Sequence, residues 1–191
     1  FIPGTDVGGI YTYTVAGQSP CVNATATVTV TVQAAADPGT SGDTTVCSNG
    51  TSINLKNVLG TTATGTWAGP STVTNNLYNP VNMNPGPYTF SIAASGVCPV
   101  ASATVDVAEV LAPDAGGNGT LSVCSSGASV DLFSRLTGTP AVGGSWTAPG
   151  NVPFPSGVYV PGSSTAGTYT YTVAGTPPCA SDVATVVVTQ I

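Results

Sequence analysis

The sequence predicts an all-β chain of tandem β-sandwich units, and three observations lead there. First, apolar and hydroxyl side chains alternate. In Gly9–Val15, Tyr11, Tyr13 and Val15 share one face and Thr12 and Thr14 the other. That period of two is the mark of half-buried antiparallel strands. Second, the stretch occurs three times, again at Gly86–Ile92 and at Gly167–Val173. Each copy leads through a short loop with a cysteine (Cys21, Cys98, Cys179) into a second alternating stretch. Third, the spacing is regular. The three loop cysteines are 77 and 81 residues apart, Cys47 and Cys124 are 77 apart, and Trp67 and Trp146 are 79 apart. Such a period is too long for a solenoid repeat and suits a small sandwich repeated in tandem.

The elements follow in order. Residues 1–33 read as the back half of a first unit, since Phe1, Pro3, Tyr11, Tyr13 and Cys21 align with Tyr159, Pro161, Tyr169, Tyr171 and Cys179. The chain starts inside a repeat, without an initiator Met or signal peptide, so it is expected to be a piece of a longer secreted chain. An Ala/Asp/Pro/Gly linker then leads to a complete unit, 37–110. Its strands are expected at Thr44–Cys47, from Ser52, at Thr64–Trp67, around Tyr78, and in the closing hairpin. Ser48-Asn49-Gly50 has turn chemistry. A second complete unit, 113–191, repeats this order. One helical turn is expected at Leu55–Leu59 and one at Leu132–Leu136. Seven or so short strands with frequent Gly and Pro turns indicate a β-sandwich.

Composition excludes several function classes. Charged residues are 5% of the 191, against about 25% in an average domain. Lys56 and Arg135 are the only basic side chains, so nothing neutralises a row of phosphates, and nucleic acid and anionic membrane surfaces are excluded as partners. There is no apolar run long enough to span a bilayer. An enzyme needs a base, a metal site or a carboxylate pair. With no histidine and eight scattered acids, no catalytic residue is expected.

The five cysteines include no C-x-x-C pair, so zinc is not expected. Each complete unit holds two, which predicts the disulfides Cys47–Cys98 and Cys124–Cys179, set against buried free thiols, with Cys21 unpaired within residues 1–191. Small domains have thin cores and are commonly supplemented this way. Trp67, Trp146, Tyr88 and Tyr169 are expected in the core, although two tryptophans also suit a sugar-stacking platform. Asp106, Glu109 and Asp114 flank the second linker and are the candidate calcium ligands, set against a solvated acidic linker. No cofactor is expected beyond that calcium.

The order Cys, Trp, Tyr, Cys resembles an immunoglobulin-like domain. Gly86-Pro87-Tyr88 and Gly167-Thr168-Tyr169 resemble its tyrosine corner. The match departs in two places: each Trp lies 20 or 22 residues after its cysteine, and the second cysteine falls in the hairpin loop. The Gly-x-Tyr-Thr-Tyr-Thr-Val motif also looks like a strand of PKD-type modules, whose Trp-Asp-Phe-Gly-Asp signature is missing. Asp43-Thr44-Thr45 resembles the O-glycosylation acceptor of Bacteroidota, with Thr44 as the acceptor.

The repeat as a whole resembles modules of giant Bacteroidota cell-surface adhesins, the SprB-type gliding adhesins exported by type IX secretion. Pro113-Asp114-Ala115-Gly116, Val130-Asp131-Leu132-Phe133, Leu136-Thr137-Gly138, Gly143-Gly144-Ser145-Trp146 and Pro178-Cys179 carry that resemblance. It implies an extracellular location on a bacterial surface and a stalk or spacer role in an adhesin or filament. The implied partners are neighbouring repeats, other filament subunits or surface polysaccharide. The alternative is a set of carbohydrate-binding modules, and a solvent-exposed aromatic row would distinguish it.

Overall fold

The computed structural model describes residues 1–191. The first alternating stretches form an antiparallel hairpin, β1 (Gly9–Val15) on β2 (Ala24–Val30). It stands alone, hydrogen-bonded to no other strand. Its apolar side chains face solvent: Tyr13 is 72% exposed and Val28 63%.

Next come β3 (Gly42–Cys47), β4 (Ile53–Asn54), helix α1 (Leu55–Leu59), β5 (Thr66–Ala68), β6 (Leu77–Tyr78), β7 (Gly86–Ile92) and β8 (Ala101–Val110). They make a four-stranded sheet, β3-β8-β7-β5, and a two-stranded sheet, β4-β6. Between them lies a core of nine residues, with Leu55, Leu59, Tyr78, Tyr88, Phe90 and Val105 at its centre.

The last stretch repeats this plan with β9 (Gly119–Val123), β10 (Val130–Asp131), a 3-10 turn (Leu132–Arg135), β11 (Ser145–Ala148), β12 (Val152–Pro153), β13 (Val158–Tyr159), β14 (Gly167–Val173) and β15 (Asp182–Gln190). Its sheets are β12-β11-β14-β15-β9 and β10-β13. A second core of eleven residues includes Leu121, Leu132, Trp146, Tyr159, Tyr169, Tyr171 and Val186.

Local chemistry explains the two short helical segments. Asn54 accepts the Lys56 amide at 3.0 Å, and Gly60 closes α1 at φ 69°, a conformation that disfavours a Cβ. Asp131 likewise accepts the Phe133 amide at 3.0 Å. Both segments turn a buried leucine onto the core, Leu55 at one and Leu132 at the other. The aromatic contacts repeat as well. Trp67 lies 5.1 Å from Phe90 and Trp146 5.0 Å from Tyr171, both tilted. Tyr78 meets Tyr88 edge-on at 5.5 Å, as Tyr159 meets Tyr169 at 5.8 Å.

In both sheets the first strand runs parallel to the last. β3 lies parallel to β8, with Cys47 opposite Val110, and β9 lies parallel to β15, with Val123 opposite Gln190. This overturns the expected disulfides. Cys98 sits in the loop before β8, whereas Cys47 lies beside that strand's far end. Ten strand residues separate the two positions, on the order of 30 Å. A disulfide needs its Cα atoms within about 7 Å. The same parallel pairing separates Cys124 from Cys179. The bond formed instead is Cys47–Cys179, with a Cα–Cα distance of 4.9 Å. Cys21, Cys98 and Cys124 are free thiols.

The chain exposes 11,590 Å². A compact monomer of 18.6 kDa would expose about 8,200 Å². The excess is that of separate small cores and a bare hairpin, not of one merged globule.

Candidate functional site

The residues with chemistry to offer do not converge on a pocket. No group of three or more acidic, cysteine or histidine side chains comes together. The three candidate calcium ligands are kept apart by strand geometry. Asp106 and Glu109 are an odd number of positions apart on β8, so they face opposite sides of the sheet. Asp106 is exposed. Glu109 instead takes the Tyr78 hydroxyl at 3.4 Å. Asp114 accepts the Gly116 amide at 2.8 Å in a local turn.

Two open grooves lie on the surface. Ser52, Ser71, Thr72, Thr74, Asn79 and Met83 line one of about 480 Å³. Asn118, Thr120, Ser134, Arg135, Thr137 and Thr185 line one of about 590 Å³. Both walls are mainly hydroxyl, amide and aliphatic, and neither holds a carboxylate or a thiol. The cations do not line up either. Lys56 Nζ sits 5.3 Å from the centre of the Phe90 ring, a cation–π contact, while Arg135 lies at the end of the 3-10 turn.

The tryptophans do not form a platform. Trp146 is 8% exposed within its core, and the partly buried Trp67 packs against the other core while its indole N–H donates to Asn76 at 3.0 Å. Tyr88 and Tyr169 are fully enclosed. Their hydroxyls donate to carbonyls four residues back, Tyr88 to Asn84 at 2.5 Å and Tyr169 to Thr165 at 2.8 Å. Tyr11 makes the same bond to Val7 at 2.6 Å, so the bare hairpin carries the same local corner. Burial, and then the neighbouring Glu109 carboxylate and Tyr88, push the Tyr78 hydroxyl up to about 12. Burial, with Tyr159 beside it, also raises that of Tyr169. Thr44 lies half-buried between Gly42 and Val46 on the core-facing side of β3, a confined setting for a sugar.

What does converge is the junction between the two cores. The end of β3 presents Cys47, and the end of β8 presents Val110 beside it. The loop between β14 and β15 drops Cys179 onto both. Its sulfur is bonded to Cys47 and lies 3.3 Å from the Val110 carbonyl oxygen. Ser48 ties the linker down from the same turn: its amide donates to Val110 at 2.9 Å, and its hydroxyl accepts the Ala112 amide at 2.8 Å. On the far side of the joint, within the second core's own segment, the Ala115 amide donates to Asp182 at 2.7 Å. Sequence reasoning named both cysteines of this joint but missed their pairing and the roles of Ser48, Val110 and Asp182. Ser48 and Ser125 each follow a first-strand cysteine, and that correspondence was the available signal.

Comparison with protein-family models and with curated proteins finds no match for this chain.

Proposed function

We propose that the chain is a run of immunoglobulin-like sandwich modules serving as stalk or spacer in a secreted bacterial surface adhesin or filament. The boundaries of this reading are a back half-module at 1–33 and complete modules at 37–110 and 113–191. The observation that carries it is the covalent joint: the chain's one disulfide links one core to the next. A bond placed there resists bending and sliding of neighbours, which is what a spacer under load needs. Sheets of five and two strands facing each other across Tyr159, Tyr169 and Val186 support the sandwich reading. A disulfide is compatible with an oxidising, extracellular compartment. No helix is long and apolar enough to cross a membrane.

Sugar binding is the weaker reading, because the indoles are engaged in the cores. On an array of surface polysaccharides the chain is expected to bind none. Deleting one repeat from the parent surface protein is expected to shorten its reach and leave adhesion in place. Loss of adhesion at unchanged surface display would move ligand binding into these modules.

A further inference from the structure

The joint recurs, and its halves at Cys98 and Cys124 stand open, as does the hairpin cysteine Cys21. Cys98 takes the place of Cys179 one repeat earlier: its amide donates to Ser95 at 3.0 Å, as that of Cys179 does to Thr176 at 2.8 Å. Its sulfur lies 3.8 Å from the Gln33 carbonyl oxygen and 3.7 Å from that of Ala34. Gln33 aligns with Val110, the residue beneath Cys179. The Gln33 side chain also donates to Ser95 at 3.0 Å, holding the loop against the end of the preceding hairpin. Cys124 in turn repeats Cys47. The Ser125 amide donates to Ile191 at 2.9 Å as that of Ser48 does to Val110 at 2.9 Å, and Gly127 donates back to Cys124 as Gly50 does to Cys47.

From this repetition we infer that Cys98 and Cys124 are open halves of a staple that repeats along the array. The occupant for Cys124 is a further unit of this same repeat, and for Cys98 it is the front half of the unit whose back half is residues 1–33. Cys98 bonds the first-strand cysteine of the unit ahead of it, and Cys124 bonds the hairpin cysteine of the unit behind. Every unit is then joined to both neighbours, and the array is cross-linked at each joint as well as through its backbone. Each staple forms as two thiols lose two protons and two electrons to a disulfide oxidant. With oxidised glutathione, two molecules of reduced glutathione are released.

The inference rests on the tandem-module reading, and the test separates the two. Residues 111–191 are appended directly after Ile191, which aligns with Val110 and so keeps the repeat in register. The lengthened chain is folded with reduced and oxidised glutathione and digested unreduced with trypsin, which cuts only after Lys56 and each copy of Arg135. Peptide 57–135, with Cys124, is expected to be bonded to the C-terminal peptide bearing the added copy's Cys179. Peptide 1–56 is expected on the junction peptide bearing the original Cys179, the bond already present. In a Cys124→Ser variant the C-terminal peptide should come free, a complete loss of that linked species. A C-terminal peptide carrying a free thiol, or bonded to the added copy's own Cys124, would overturn the staple. The spacer reading would survive that result, because it stands on the Cys47–Cys179 joint, which this outcome leaves in place, and small-angle scattering tests it separately.

A second variant guards against misfolding of the added unit. A copy of 34–110 is inserted after Gln33, so that its Cys47 meets the original Cys98. Peptide 1–56 should then be linked to 57–135. Its absence would overturn the inference equally.

Discussion

Tyr78 shows how much one hydroxyl depends on its surroundings. Its side chain is fully buried, and its hydroxyl faces Met83 and the Glu109 carboxylate. Ionising it would place a second negative charge beside the first in a poorly solvated site. The folded chain therefore holds the proton to about pH 12, while the unfolded chain releases it near 10. The sign follows from that order. The stabilisation is complete below pH 10 and is lost as pH rises towards 12, amounting to roughly 2–3 kcal/mol at one pH unit per 1.36 kcal/mol. Urea midpoints measured from pH 9 to 12 should fall steeply in the parent chain and less steeply in Tyr78→Phe. Equal slopes would remove Tyr78 from the account. The tyrosine corners are smaller effects. Tyr169→Phe should cost about 1 kcal/mol, the net worth of one hydrogen bond. Tyr11→Phe, on the bare hairpin, should cost less.

At the scale of elements, the strands meet through glycine. Gly65 and Gly144 each stand two residues before a tryptophan, under an aromatic ring of the neighbouring strand. A Cβ on Gly144 would fall 2.5 Å from the Tyr171 ring and 2.6 Å from the Thr172 carbonyl oxygen; on Gly65 it would fall 2.7 Å from the Phe90 ring. The backbone carbonyl cannot rotate away without breaking the ladder. Gly144→Ala is thus expected to destabilise by about 1–3 kcal/mol, as overpacking does. A denaturation curve following Trp146 emission reads this directly, and an unchanged midpoint would mean the ring has room to yield. The edge strands matter just as much. Because β3 and β9 run parallel to their neighbours, each carries its cysteine to the end of the sheet where the next core begins.

For the whole molecule, the consequence is two small cores held at one covalent joint. The closed loop spans 132 residues, so the bond is worth about 5 kcal/mol in the chain-entropy model. Much of its effect should appear in the arrangement of the cores, because each core is built from its own segment of chain. Reduction is therefore expected to leave tryptophan emission nearly unchanged while broadening the scattering profile and exposing the 111–113 linker to proteases. Loss of native emission on reduction would show the cores to depend on the bond. At about 3.4 Å per strand residue, the proposed two and a half units, end to end, should extend roughly 90–110 Å. Small-angle scattering giving the dimension of a compact sphere would contradict this arrangement.

The sequence by itself determined what is local and periodic. Alternation placed the hairpins at Gly9–Val15, Gly86–Ile92 and Gly167–Val173 because side-chain direction in a strand is a matter of parity. The spacing of Cys and Trp marked the repeat, and Leu55–Leu59 and Leu132–Leu136 were legible as single helical turns. The absence of histidine and the scatter of the acids set the expectation of no catalysis. Tertiary structure alone decided which cysteines meet. Equal spacing within a unit suggested Cys47–Cys98, but sequence distance says nothing of strand direction. The parallel pairing of β3 with β8 is a long-range hydrogen-bond register, and it carries Cys47 away from Cys98 by the length of a strand and onto the next core's Cys179. The calcium candidates do not converge, for a related reason. Asp106, Glu109 and Asp114 are close in sequence, yet a strand turns Asp106 and Glu109 to opposite faces and a turn engages Asp114 locally.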